Sequence, residues 1–173
     1  SVTQETTDVE YFNHLVENNF PLVFFNRICP TFNAPHVIID DYKWSFKAVE
    51  HLIKEGYKRI AHLMGPDNLL LSQRRRDGYL DALRKNNLPN IEELIIPCGI
   101  MMESGIVAAY KLLEMENIPD AIFAVNDPVA IGAMKTLQKH GKKIPEDVAV
   151  VGFSESKKAL IIEPNLPSVE QPT

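Results

Sequence analysis

The chain has 173 residues, 45% apolar and 24% charged, with a formal net charge of −5. That balance suits a globular core of one domain or slightly more, and argues against a nucleic-acid or anionic-membrane surface on this polypeptide itself. No stretch approaches the roughly 20 apolar residues needed to cross a bilayer, and no basic, apolar leader opens the chain. Cys29 and Cys98 stand far apart without a CxxC partner and read as two free thiols of a reducing, cytoplasmic compartment. Ser1 in place of an initiator Met suggests processing or a piece of a longer protein.

In order along the chain, residues 1–8 are polar apart from Val2 and read as the tail of an element. Tyr11, Phe12, Leu15 and Val16 form a short helical stripe. Pro21 to Asn26 predicts a buried strand and Val37 to Ile39 another. Asp40 or Asp41 can cap the helix that follows, whose apolar face is Phe46, Val49, Leu52 and Ile53, and Gly56 ends it. Arg59 to Met64 is the next strand, broken by Gly65, Pro66 and Asp67. A helix from about Ser72 turns Tyr79, Leu80 and Leu83 inward and stops near Asn86 and Asn87. Leu94 to Ile96 is a strand, and Ser104 can cap a helix carrying Ile106, Ala109, Tyr110 and Leu113 to about Asn117.

Asp120 to Glu155 states a complete βαβ unit. The apolar run Ala121 to Val125 stops at Asn126, Asp127 can accept from the first free amides of a helix, and Pro128 suits its first position. Ala130, Met134 and Leu137 keep the helical spacing, Gly141 closes the helix, and Val148 to Phe153 is a second β-branched run. Parallel strands joined this way end at one edge, which carries Asn126 and Ser154, and such edges bind small molecules. The unbroken alternation predicts an α/β fold, a parallel sheet flanked by helices, with a last extended piece at Ser168 to Gln171. From Arg59 onward four strands and three helices make a self-sufficient set, whereas the first third offers two strands and one long helix. The expected division is therefore 1–58 as part of an N-terminal subdomain and 59–173 as a C-terminal one.

Catalytic signatures fail. GxGxxG and GxxxxGK[ST] are absent, and Gly152 to Ser156 (GFSES) lacks the second glycine of a G-x-S-x-G elbow and any later histidine. His14, His36, His51, His62 and His140 show no metal-ligand spacing, so neither metal nor cofactor is expected. Arg74, Arg75 and Arg76 point about 100° apart on a helix, so they cannot all enter one cleft. Arg75 lies three before Gly78, whose missing side chain is expected to let the helix approach the sheet closely, and can fork onto a ligand's hydroxyls or carboxylate, the alternative being a solvated basic face.

Seven segments carry a resemblance. They are PLVFFNR (Pro21 to Arg27), VIIDD (Val37 to Asp41), AVEHLIKEGYKRIAHLMGP (Ala48 to Pro66), RRDGYLDAL (Arg75 to Leu83), DAIFAVNDPVAIGAMKTL (Asp120 to Leu137), IPEDVAVVGFS (Ile144 to Ser154) and LPSVEQP (Leu166 to Pro172). In this order they resemble the effector-binding core of LacI-family bacterial transcription regulators, relatives of periplasmic sugar-binding proteins. The resemblance implies a non-enzymatic module of periplasmic-binding-protein-like fold, with two Rossmann-like subdomains around a small polar, sugar-like effector. It also implies a homodimer that reads operator DNA through a helix-turn-helix. That element, the first strands of the N-terminal subdomain and the stretch returning after Thr173 are expected to lie outside this chain. By the resemblance Arg75 matches the arginine of R-x-x-G-[YFW], Asn126 the Asn of A-N-D, and Ser154 stands where many members have Asp. Tyr42 and Lys43 are further effector-binding candidates. A neutral Ser154 implies more tolerance of an acidic or phosphorylated sugar. The alternative is a periplasmic sugar-binding protein of a transport system, although IPEDVAVVGFS and HLIKEGYKRIAHL resemble the regulators more closely.

Overall fold

The computed structural model describes residues 10–18, 20–26, 34–154 and 159–171. Among them a short helix, α1 (Glu10–Glu17), precedes a parallel pair of two-residue strands, β1 (Phe24–Phe25) and β2 (His36–Val37). Then come α2 (Asp41–Lys54), β3 (Ile60–Met64), α3 (Leu70–Lys85), β4 (Ile95–Pro97), α4 (Met102–Leu113), β5 (Ala121–Ala124), α5 (Asp127–Lys139), β6 (Ala149–Phe153) and β7 (Ser168–Val169). The last five strands form one sheet in the order β4-β3-β5-β6-β7, parallel at every pairing. Each residue of β3, β5 and β6 is buried, as expected of apolar runs covered by helices on both faces. The α/β fold expected from the alternation is the fold observed.

Two cores lie on opposite faces of that sheet. Under α4 and α5 the cluster is aliphatic, built on Leu63, Ile122, Ala124, Leu112, Met134 and Leu137. Under α2 and α3 it includes rings, with Tyr79, Phe123 and Phe153 beside Val49, Leu52 and Leu83. Alternate residues of β3 serve alternate faces, Ala61 and Leu63 on one side and Ile60 on the other. Helix α2 thus shares a core with α3 and with the sheet that follows it.

Several local expectations are corrected. Asn126, not Asp127, caps α5: its backbone is extended and its Oδ1 accepts from the Val129 amide at 3.0 Å. Asp127 is buried instead, accepting from Ser168 Oγ at 2.5 Å and so tying α5 to β7. Helix α4 opens at Met102, which places Ser104 inside it without a capping role. Asp40 does cap α2, accepting from the Lys43 amide at 3.0 Å. Gly78 serves a helix–helix contact rather than a helix–sheet one, since a Cβ there would strike Tyr42 O and Phe46 N of α2. The strand at Pro21 to Asn26 is shorter than expected and buried only at Phe24, with Val23 60% and Phe25 62% exposed. Residues 1–8, Arg27, Cys29, Glu155, Ser156 and Pro172 lie outside the described residues. Cys98 is a half-buried free thiol that burial pushes up to about 12, leaving it an unreactive protonated group near neutral pH.

Candidate functional site

The sheet order reverses at β3, whose neighbours β4 and β5 lie on opposite sides, and ligands of open parallel sheets bind outside the carboxyl ends at such a reversal. At this edge Asn126 and Ser154 end their strands, and Arg75 reaches the residues just before them, Val125 and Phe153. Arg75 leaves α3 and is 3% exposed. Its Nε donates to Asp41 Oδ1 at 2.8 Å, Nη2 stands 2.6 Å from the same oxygen, and Nη1 donates to the carbonyl of Val125. Its guanidinium lies 3.6 Å above the Phe153 ring centroid, a cation–π stack. Asn126 and Ser154 follow Val125 and Phe153 directly, so all three mark adjoining strand ends.

Their polar atoms are engaged within the chain. Asn126 Nδ2 donates to the Ile100 carbonyl at 2.8 Å while its Oδ1 caps α5. Ser154 has φ +114°, a strained backbone for a residue with a side chain, and its Oγ accepts from Gln171 Nε2 at 3.1 Å. Tyr42 donates to Asp81 Oδ2 at 2.9 Å, and Lys43 is exposed with its ammonium 5.8 Å from the Trp44 ring.

Beside this cluster opens a cavity of about 590 Å³, lined by Asn26, His36 and Ile38 from the first part of the chain, Asp40 to Tyr42 at the start of α2, and Leu69 to Leu71 with Arg74 at the start of α3. Of the five expected residues only Tyr42 lines it, with Asp41 as the bridge, since that carboxylate both faces the cavity and grips Arg75. Sequence reasoning named Asp41 only as a possible cap and missed Arg74 as a lining group. An acidic pair before a helix shows capping potential, but only burial reveals which carboxylate turns inward.

Electrostatics set this edge apart. Burial raises the Asp41 carboxyl above its ordinary range, and Arg75 offsets part of that rise. His62, fully buried on β3, stacks between Tyr79 at 5.1 Å and Phe123 at 5.0 Å. Its Nδ1 lies 3.0 Å from the Phe123 carbonyl, which can only accept, so Nδ1 carries the proton and Nε2 is a bare acceptor without a hydrogen-bond partner. Burial lowers its pKa to about 4, with Arg75 and Arg76 pushing the same way. Among the described residues no group of three or more His, Cys, Asp or Glu is placed to hold a metal, and no helix is long and apolar enough to cross a membrane.

Residues 49–173 match the profile of the periplasmic binding protein-like domain. The chain belongs to that family. Its relatives are LacI-type regulators: it is 34% identical over 171 residues to the probable HTH-type transcriptional repressor ExuR of Bacillus subtilis, covering 99% of this chain and 51% of that protein. It is 32% identical to the HTH-type transcriptional repressor CytR of Escherichia coli, covering 88% and 45%. Among solved structures, a LacI-family regulatory protein from Chloroflexus aggregans superposes with TM-score 0.86 at 34% identity, over 93% of this chain and 58% of that one. The transcriptional regulator CelR in complex with cellobiose gives TM-score 0.86 at 32% identity, over 95% and 51%. The chain therefore spans about half the length of the curated LacI-type relatives it matches.

Proposed function

We propose that this chain is the ligand-sensing core of a cytoplasmic, DNA-binding LacI-type regulator, and that it binds a small sugar-like effector in the cavity at the carboxyl edge of the sheet. One observation carries the reading: residues from before α2 and residues from the start of α3 line the same cavity, so a molecule seated there touches both parts. A ligand that contacts both parts more favourably in one mutual orientation shifts the population toward it. The cellobiose bound by CelR supports a saccharide-type ligand. Arg75 acts in this reading through Asp41, holding the start of α2 at the cavity wall, with Tyr42 lining the cavity and Asn126, Ser154 and Lys43 as further candidates outside that lining.

A homodimer is part of the proposal, as is operator DNA contacted through residues beyond this chain. Met101, Met102 and Val107 at the start of α4 are exposed, as are Leu160 and, at 82%, Ile161. Both stretches lie on the α4/α5 side, where Ala159, Ile162 and Leu166 join the aliphatic core, and they supply an apolar surface for a second copy. The reading describes a binding module, with repressors as its named relatives, rather than an enzyme.

Titrating the full-length protein with a panel of mono- and disaccharides, followed by thermal shift and calorimetry, tests the reading. The expected result is saturable binding that a neutral double variant, Asp41→Asn with Arg75→Gln, weakens at least tenfold while the protein stays folded. Binding untouched by that variant would remove this edge of the sheet from the effector site.

A further inference from the structure

We infer that the cavity selects an anionic effector, a sugar or polyol bearing a carboxylate or phosphate, and that Arg74 is the specificity-determining residue. This deepens the proposed function and rests on its placing of the effector in the cavity.

The inference follows from which lining charges are already engaged. Asp41 is held in its ion pair with Arg75. Asp40 is exposed, and its Oδ1 already accepts the Lys43 amide at the start of α2. Arg74 lines the cavity and, among the described residues, makes no hydrogen bond or ion pair, whereas Arg76 pairs with Asp67 at 3.3 Å. The α3 wall is therefore Leu69, Leu70, Leu71 and one unengaged guanidinium. A neutral hydroxyl gains little against aliphatic side chains, whereas a carboxylate or phosphate can accept two parallel N–H bonds from the arginine fork. Leu69 provides no side-chain cap to the 16-residue helix α3, so the start of the helix adds positive potential to the same wall without defining the site by itself.

The opposite wall has the complementary character. Asn26, His36, Asp40 and Tyr42 line it and offer hydrogen-bonding groups suited to hydroxyls. An effector thus lies with its anionic end at Arg74 and its hydroxyls toward β1, β2 and the start of α2. The neutral Ser154 at the neighbouring strand end adds no opposing charge. Arg74 also borders the outer groove with Asp77 and Asp81, and Asp81 there already accepts from Tyr42, so the guanidinium can turn inward without stranding that carboxylate.

The experiment is calorimetry on the full-length protein with matched probes: glucose and galactose, their uronates, and their 6-phosphates. At least one anionic member should bind roughly 10- to 100-fold tighter than its neutral parent, the worth of a charge-assisted fork. Arg74→Gln should erase that preference without shifting the thermal midpoint, and Arg74→Lys should restore part of it. The uronate and 6-phosphate arms decide which anion is meant. Neutral hexoses bound as tightly as their anions, or a preference that survives Arg74→Gln, overturn the inference and leave the cavity as an effector site. Binding of none of the probes, with cellobiose also inert, overturns both this inference and the sugar reading beneath it.

Discussion

On the α4/α5 side of the sheet the core is Leu, Ile, Val, Ala and Met, and the polar groups buried with it are bonded: Thr136 Oγ1 donates to Gly132 O at 2.9 Å and Asp127 accepts from Ser168. The α2/α3 side buries Asp41, Ser45, His62, Ser72 and Arg75, and among the described residues leaves Ser45 Oγ, His62 Nε2 and Ser72 Oγ without hydrogen-bond partners. One side is fixed by shape, the other by charge balance, and the charged one borders the cavity. Buried polar groups raise the penalty of a wrong arrangement, so a rearrangement beside the cavity has large energies to act on, whereas the aliphatic face is a rigid base.

Four measurements break or sharpen that contrast. The largest effect is expected from Asp41→Ala, which strands the Arg75 guanidinium against Phe153 and should cost about 3–5 kcal/mol in urea unfolding. A loss below about 1 kcal/mol would mean the ion pair is not what organises that face. Next is acidity. His62 has its pKa lowered to about 4, so the unfolded chain takes up a proton at higher pH than the folded one. Its contribution is whole at neutral pH and declines as pH falls from about 6.5 to 4, by roughly 3 kcal/mol. His62→Gln should flatten that part of the stability profile, and an unchanged profile would place the titration elsewhere.

On the aliphatic face the sensitivity should be to volume. A Cβ on Gly132 would strike the Met102 carbonyl across the α4–α5 crossing, so Gly132→Ala should cost about 1–3 kcal/mol with no pH dependence. A neutral result would show the crossing to be looser than its geometry. The smallest effect belongs to Asn126→Ala, which removes the α5 cap and the donor to Ile100. About 1–2 kcal/mol is expected by chemical denaturation, because a cap satisfies only one or two helix-end groups.

Much of this fold is legible in the residues because its signals are local. The run Ala121 to Val125 before Asn126 and Pro128 fixes a strand and a helix start whatever surrounds them, and Val148 to Phe153 repeats the signal. The cap itself is not legible in this way: Asp127, the expected cap, is claimed by β7 through Ser168, and Asn126 one residue earlier takes the role. Gly78 marks a close approach, but to α2 and not to the expected sheet, because a missing side chain does not say which element fills the space.

What the sequence by itself determined is the order of strands and helices, the shared edge that ends in Asn126 and Ser154, and the family those segments belong to. Hydrophobic period and helix-end chemistry act within a few residues and need no partner. What only the tertiary structure decided is the pairing of Asp41 with Arg75 across 34 positions, the inward turn of His62, and the meeting of Leu69 to Leu71 and Arg74 with Asn26 and His36 around one cavity. Those depend on which helix faces are pressed together, and the free energy of a buried charge is set by the neighbours that packing brings, not by its place in the chain.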